Sequence, residues 1–109
     1  MMKKNILILY AEVMGYVISA INKYQEIYND TNILLIELDN KKLTNFKFKS
    51  DKVIYYPKSN FSNFNLLLNT CKNFNPNIVL VSGRMDKEYL KIAHYFFKKN
   101  VYTLSLIHI

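Results

Sequence analysis

The chain has 109 residues, of which 50% are hydrophobic and 15% aromatic, and its formal net charge is +7. This length allows one domain, and so apolar a composition excludes an intrinsically disordered chain. The positive charge comes from lysines scattered along the sequence, with Arg84 as the single arginine. We attribute the charge to a composition rich in Lys, Asn, Ile and Tyr rather than to a phosphate-binding face, and expect no nucleic-acid partner.

Compartment and membrane contact are limited by two features of the sequence. The first ten residues, M-M-K-K-N-I-L-I-L-Y, resemble a signal peptide only briefly, because the apolar run is short and Glu12 follows it. No apolar stretch approaches the roughly twenty residues of a transmembrane helix, so we expect at most peripheral membrane contact. Cys71 is the only cysteine and is predicted to fill the core of a helix interface, which suits a cytoplasmic protein.

Strands and helices are predicted in alternation along the chain. Short apolar runs predict strands at 5–10, 33–38, 53–56, 78–81 and from 101 onward. Apolar residues at three- and four-residue steps predict helices at 16–28, 61–74 and 86–99. The predicted buried stripes are Val17, Ala20, Ile21, Tyr24, Ile27 and Tyr28 in the first helix, Phe64, Leu67, Leu68, Cys71 and Phe74 in the second, and Tyr89, Leu90, Ala93, Phe96 and Phe97 in the third. Ser59 or Ser62 is the predicted N-cap of the second helix, and Asp86 that of the third.

The element order β-α-β-β-α-β-α-β predicts an α/β fold with an open, mostly parallel, Rossmann-like sheet in three layers. The connection between the second and third strands has no helical period, so the direction of the third strand stays open. Such sheets bind ligands at the carboxyl ends of their strands.

The most informative segment is 75–89, N-P-N-I-V-L-V-S-G-R-M-D-K-E-Y, where a buried strand passes through Ser82 and Gly83 into a helix. Gly83 allows a sharp turn and Arg84 supplies a permanent cation. Free backbone N–H groups at the starts of the first and third helices favour oxygen acceptors. The loops after the strands therefore predict a crevice for a polar, anionic or hydroxyl-rich ligand, with candidate residues Glu12, Gly15, Tyr16, Ser82, Gly83, Arg84 and Asp86, and with Asp39 and Ser59 as further hydrogen-bonding groups. The alternative is that the glycines only serve turns, that Asp86 is only a cap and that Arg84 is a solvated charge.

Several chemistries are excluded by missing motifs. The loop after the first strand, A-E-V-M-G-Y, lacks the G-x-G-x-x-G of dinucleotide sites, and no P-loop occurs. His94 and His108 have no cysteine partners, so no metal site is predicted. No serine, cysteine and histidine arrangement indicates a nucleophilic triad, and we assign no catalytic residue.

Three segments carry a resemblance to a known family: K-N-I-L-I-L-Y-A-E-V-M-G-Y, Y-Y-P-K-S-N-F and P-N-I-V-L-V-S-G-R-M-D-K-E-Y-L-K-I-A. Together they resemble the N-terminal domain of bacterial glycosyltransferases of the two-Rossmann-domain (GT-B) architecture, of the group 1 or family 4-like type, over residues 1–103. Arg84 stands where that family often has a tryptophan.

The resemblance implies a transferase that moves a sugar from a nucleotide-sugar donor to a small-molecule or glycan acceptor in the cleft between two domains. It implies no cofactor and no metal, with the nucleotide-sugar donor as co-substrate. The N-terminal domain would shape the acceptor side, with Gly15 close to the donor phosphates. The second domain, which would hold most of the donor, would lie outside this sequence, so the fragment alone would be inactive.

The last six residues, L-S-L-I-H-I at 104–109, match the translation of a widely used sequencing-transposon end. We therefore expect 104–109 to be an adapter artefact and the intact gene to continue past Thr103. The alternatives are that these residues complete the fifth strand, and that the chain is a freestanding flavodoxin-like binding or regulatory module.

Overall fold

The computed structural model describes residues 4–11, 15–38, 48–82 and 86–105, with the backbone alone at positions 15, 16 and 105. The strands are β1 (Lys4–Tyr10), β2 (Thr31–Glu37), β3 (Val53–Pro57), β4 (Ile78–Ser82) and β5 (Tyr102–Ser105). The helices are α1 (Gly15–Ile27), α2 (Phe64–Phe74) and α3 (Lys87–Lys98), and a 3-10 turn spans Lys58–Asn60. The predicted element order is confirmed, and the predicted boundaries lie within three residues of these.

All pairings in the five-stranded sheet are parallel, in the order β3-β2-β1-β4-β5. The direction of β3, left open by the sequence, is therefore parallel to β2. The order is that of the first five strands of a Rossmann sheet, and differs from the 2-1-3-4-5 order of flavodoxin-like folds. A flavodoxin-like topology is thus wrong for this chain.

Helices cover both faces of the sheet because the strands alternate their side chains between two apolar clusters. Leu7 and Leu9 of β1 pack with residues of α2 and α3 on one face. Ile6 and Ile8 pack with residues of α1 on the other face. The predicted three-layer architecture is confirmed, with β1 at its centre.

The buried stripe of α3 differs from the predicted one. Tyr89 and Phe96 are buried as predicted. Ile92, which the prediction did not include, is fully buried. Leu90 and Phe97 are 44% and 67% exposed. The core-facing side of α3 is thus formed by positions 89, 92 and 96. This spacing fits the 3.6-residue helical period as well as the predicted one does.

The stripe of α1 also differs, while that of α2 is as predicted. In α1 the buried positions are Ile18, Ile21 and Gln25, whereas Ala20 and Ile27 are exposed. In α2 the predicted residues all lie in one cluster, with Leu67 and Cys71 fully buried and Phe64, Leu68 and Phe74 against them.

Helix caps explain where α2 and α3 begin. The predicted serine cap of α2 is wrong, since Asn63 caps the helix by accepting a hydrogen bond from the Leu66 amide. Ser59 lies in the 3-10 turn that precedes α2, so the helix begins later in the sequence than predicted. The predicted cap of α3 is confirmed, since Asp86 accepts from the Tyr89 amide at 2.9 Å. Asn75 ends α2 in the left-handed conformation with φ of 56°.

At the sheet's edge, β5 includes two residues of the segment 104–109: Leu104 pairs with Leu80, and Ser105 with Val81. Whether 104–109 derives from an adapter stays a prediction. In the described part of the chain, none of the helices has the length and apolar character needed to cross a bilayer.

Candidate functional site at the carboxyl edge of the sheet

The carboxyl ends of β1 and β4 form the switch point of the sheet. From β1 the chain proceeds through α1 to β2, and from β4 through α3 to β5, on opposite faces. The helices that follow β1 and β4 therefore lie on opposite faces of the sheet, and open α/β sheets bind ligands between two such strands. The Ala11 amide donates to the Ser82 carbonyl at 2.7 Å and holds the two strand ends together at this point.

Tyr89 anchors the first turn of α3 beneath the switch point. Its side chain is fully buried, and its hydroxyl lies 3.0 Å from the carbonyl oxygen of Tyr10 and 3.2 Å from that of Ile36. These carbonyls belong to the ends of β1 and β2. One phenol thus fixes the start of α3 against two neighbouring strands.

Asp86 joins that helix to the loop after β3. One oxygen of its carboxylate caps α3, and the other lies 3.3 Å from Nζ of Lys58. The Lys58 ammonium also lies 2.5 Å from Oε1 of Glu88 and 5.8 Å from the centre of the Tyr89 ring. Lys58 therefore links the 3-10 turn after β3 to the start of α3 across the carboxyl edge.

The electrostatics of this cluster keep Lys58 charged. Burial by itself lowers the pKa of Lys58, but the hydrogen bonds and negative charges of Glu88 and Asp86 outweigh it and raise the pKa above its ordinary value. Only 19% of the Lys58 side chain is exposed, and 15% of that of Asp86. A pair so shielded from solvent is held more firmly than an exposed surface ion pair.

A second polar contact lies at the end of β2 on the α1 face. Glu37 is fully buried and accepts a hydrogen bond of 2.5 Å from the Tyr55 hydroxyl. Burial, and next the hydrogen bond and charge of Glu37, raise the pKa of the Tyr55 phenol. The contact adds a buried carboxylate to the carboxyl edge, one residue before the loop that follows β2.

The structure places part of the predicted site. Ser82 ends β4 and is half-buried, Asp86 caps α3, and Ser59 lies exposed in the 3-10 turn. Glu12, Asp39, Gly83 and Arg84 lie outside the described residues. Of the candidates, Ser82 and Asp86 therefore stand on the two sides of the junction loop, with the predicted Gly83 and Arg84 between them in sequence.

Gly15 and Tyr16 form the first turn of α1. As α1 follows β1 in the chain, its amino end starts from the same edge as that of α3, as the sequence predicted. Gly15 has no positive φ, so the helix start does not use the left-handed region that favours glycine. The side chain of Tyr16 is not described, and its role stays a prediction.

Sequence reasoning missed three residues of this edge as site residues: Lys58, Tyr89 and Glu37. Lys58 precedes the candidate Ser59 in sequence but was not itself predicted, and Tyr89 was predicted only as part of a helix stripe. A tyrosine three residues after a capping aspartate was the available signal for Tyr89. For Glu37, the signal was its position directly after a continuous apolar run. A carboxylate at the end of a buried strand needs a polar partner if it is itself buried.

The opposite, amino edge of the sheet carries a groove of about 480 Å³. It is lined by three asparagines, two charged residues and two apolar residues, Asn5, Asn32, Asp51, Lys52, Ile54, Asn73 and Phe74. Asparagine side chains connect neighbouring elements at this edge. Nδ2 of Asn5 donates to the carbonyl of Phe74 at the end of α2, and Nδ2 of Asn32 donates to Oδ1 of Asn5. The backbone N–H of Asn5 donates to Oδ1 of Asn77. We interpret this edge as structural. In the described residues, no three His, Cys, Asp or Glu side chains stand close enough to share a metal ion.

Comparisons with known proteins add little to this description. No protein-family model matches the chain, and no curated protein matches it. Among solved structures, the crystal structure of the pilus retraction motor PilT with bound ADP is 16% identical, with a TM-score of 0.48. The match covers 98% of this chain and 32% of that chain, so the chain spans about a third of the motor's length. A likeness at this level bears on neither the activity nor the ligand of the chain.

Proposed function

We propose that the chain is the acceptor-side N-terminal domain of a GT-B glycosyltransferase, which transfers a sugar from a nucleotide-sugar donor to a small-molecule or glycan acceptor in the cytoplasm. The observation that carries the proposal is the network of Lys58, Asp86 and Tyr89 at the carboxyl edge. It lies within the same segments that carry the family resemblance, and it holds the start of α3 in place without including a catalytic group.

Such bracing suits a wall of an interdomain cleft. Tyr89 and Lys58 hold the start of α3 against β1, β2 and the loop after β3, so the loop between Ser82 and Asp86 begins and ends at fixed points. A rigid wall orients an acceptor and contributes to the rate by positioning, without supplying a nucleophile or base. In this proposal Glu12, Gly15, Tyr16, Gly83 and Arg84 face the same cleft, and the donor is held mainly by a second domain.

The proposal is tested on the uninterrupted gene product. Genomic DNA across codon 103 should encode a longer polypeptide with a second Rossmann-like unit. When tested with UDP- and GDP-linked sugars, the purified product should hydrolyse one of these donors or transfer its sugar to an acceptor. The 109-residue chain should do neither.

The competing reading is a freestanding small-ligand module, now with a Rossmann rather than a flavodoxin-like strand order. An open reading frame that stops after Ile109, together with a well-behaved monomer that binds a small-molecule ligand, would favour that alternative. A longer product that lacks a second Rossmann-like unit would likewise refute the glycosyltransferase proposal.

A further inference from the structure

A row of polar side chains crosses the amino edge of the sheet on the face that α2 covers. Asn5 of β1 pairs with Asn32 of β2, and the register between β2 and β3 continues the row to Lys52, the residue before β3. Alternation along β1 places Asn5 on the same face as Leu7, which packs in the cluster with α2. The row lines the groove of about 480 Å³ at this edge, which we call the amino-edge groove.

Part of this polar row holds the protein together. Nδ2 of Asn5 donates to the Phe74 carbonyl at 2.9 Å, and Oδ1 of Asn5 accepts from Nδ2 of Asn32 at 3.0 Å. Nζ of Lys52 donates to the Asn29 carbonyl at 2.6 Å. These bonds join α2, β1, β2 and the segments beside them, and they account for the structural role of the edge.

Three other polar groups of the groove take no part in that structural role. Oδ1 of Asn32, the side-chain amide of Asn73 and the carboxylate of Asp51 have no hydrogen-bond or ion-pair partner among the residues that the structure describes. All three residues line the amino-edge groove. Asn32 is half-buried, whereas Asn73 and Asp51 are exposed. The groove therefore presents donors and acceptors that a bound molecule can use.

Apolar surface lines the same groove. Ile54 is 45% exposed and Phe74 is half-buried. The volume of the groove falls in the range of about 300–1,000 Å³ that small-ligand sites occupy. A sugar ring carries hydroxyls at its rim and C–H groups on its faces, so it can bond to amides and pack on apolar side chains at the same time.

The charges around the groove favour an uncharged ligand. Asp51 and Lys52 contribute opposite charges. The carboxyl end of α2, at Phe74, carries the negative end of the helix dipole and disfavours an anion. The Lys52 ammonium in turn disfavours a cation. Hydroxyls need no counter-charge, and like the amides of the groove they bring both donors and acceptors.

We propose that the amino-edge groove binds an uncharged, hydroxyl-rich ligand of the carbohydrate class. Asn32, Asn73 and Asp51 supply its hydrogen bonds, and Ile54 and Phe74 form its apolar wall. This goes beyond the proposed function, because the groove lies at the opposite edge of the sheet from the cleft. β1 has seven residues, which at about 3.3 Å each separate the two edges by about 20 Å. A sugar in the groove is therefore bound and not transferred.

The test is an NMR titration of the isotope-labelled 109-residue chain with three neutral trisaccharides: maltotriose, cellotriose and N-acetylated chitotriose. At about 20 mM ligand, a site with a Kd of about 1 mM is close to saturation. At least one trisaccharide should produce saturable shifts of the side-chain amides of Asn32 and Asn73. Asn73→Ala should weaken this binding about fivefold, because it removes one hydrogen bond. Asn65→Ala, at an exposed position of α2 outside the groove, is the matched control and should leave the affinity unchanged.

A second pair of variants tests the apolar wall. Ile54→Ala should weaken the binding, whereas Leu66→Ala, which shortens a similarly exposed apolar residue outside the groove, should not. Equal effects within either pair of variants would overturn the inference, as would the absence of a saturable shift with all three trisaccharides.

Two further ligands test the chemical class. Trigalacturonate is an anionic trisaccharide, and N-acetyl-trialanine amide is an uncharged peptide. Tighter binding of either one at the same side-chain amides would assign the groove to an anion or to a peptide and contradict the proposal. None of these measurements uses a nucleotide sugar. A protein that binds a trisaccharide here but transfers no sugar would therefore retain this site and lose the glycosyltransferase function.

Discussion

The hydroxyl oxygen of Tyr89 lies 3.0 Å from the carbonyl oxygen of Tyr10, although 79 positions separate the two residues in the chain. The contact joins the first turn of α3 to the end of β1. It also continues to β2 through the Ile36 carbonyl at 3.2 Å. One buried phenol therefore contacts the carboxyl ends of two neighbouring strands.

Replacing Tyr89 by phenylalanine tests that contact. Tyr89→Phe keeps the ring and removes the donor, so the free energy of unfolding should fall by about 1 kcal/mol, the net contribution of a buried hydrogen bond. Urea unfolding followed by circular dichroism measures the loss. Tyr95→Phe, a half-buried tyrosine on the same helix, is the control and should change stability by less than about 0.5 kcal/mol. Equal effects of the two substitutions would show that the Tyr89 hydroxyl has no special role.

Asp86 has two separable functions, as the cap of α3 and as a partner of Lys58. Asparagine caps helices as well as aspartate does, whereas alanine does not. We therefore expect Asp86→Ala to cost about 1 kcal/mol more than Asp86→Asn in urea unfolding. Asn63→Ala, which removes the cap of α2 alone, should cost a comparable amount and serves as the reference. If Asp86→Asn is as damaging as Asp86→Ala, the charge pair rather than the cap dominates.

The Cys71 thiol reports on opening of the core. Its side chain is fully buried on the core-facing side of α2, and burial raises the pKa of the thiol to about 12. Since the thiolate is the reactive form, Cys71 should react with Ellman's reagent at neutral pH only when the protein unfolds. The labelling rate should rise with urea in parallel with the unfolded fraction. Rapid labelling in the absence of urea would mean that α2 opens locally.

Alkaline pH should destabilise the protein through Tyr55. The folded state raises the pKa of Tyr55 above its ordinary value of 10.0. The unfolded chain therefore loses this proton first, so the stability from the protonated phenol is complete below about pH 10 and falls as the pH rises toward the folded pKa. Because Cys71 and Lys58 are shifted in the same direction, Tyr55→Phe should reduce this loss without abolishing it.

The comparison is made by urea unfolding at pH 8, 9.5 and 10.5. Tyr56→Phe, which alters the next residue of β3 with its partly exposed ring, is the matched control for loss of a hydroxyl from this strand. A slope that Tyr55→Phe leaves unchanged would contradict the assignment of this titration to the Tyr55 phenol.

The sequence predicted the layers of this fold because apolar runs and helical periods are local signals. The strands at Ile6 and Val79 need no knowledge of their neighbours to be recognised. The rotation of α3 was not predictable in this way, because Leu90 and Ile92 are equally apolar and only packing against the sheet selects Ile92. The cap of α2 was misplaced for a similar reason, since Asn63 competes with nearby serines and the 3-10 turn decides between them.

At the candidate site, sequence reasoning located the loop at 82–86 and the cap at Asp86. It did not find Lys58, because the contact to Asp86 spans 28 positions and depends on the parallel pairing of β3. It also gave Tyr89 only a packing role, since its partners are backbone carbonyls that belong to other elements. Long-range polar contacts of this kind leave no local pattern.

The central place of β1 sets an order for folding. Ile6 pairs with Ile33 on one side and with Ile78 on the other, so β1 acquires its neighbour β4 much later in synthesis than its neighbour β2. Closing so long a loop costs entropy before the pairing compensates for it. During synthesis, the apolar surfaces of β1 and β2 stay partly uncovered until β4 emerges. The nascent chain should therefore be most exposed to aggregation or chaperone binding until β4, which ends at Ser82, has left the ribosome.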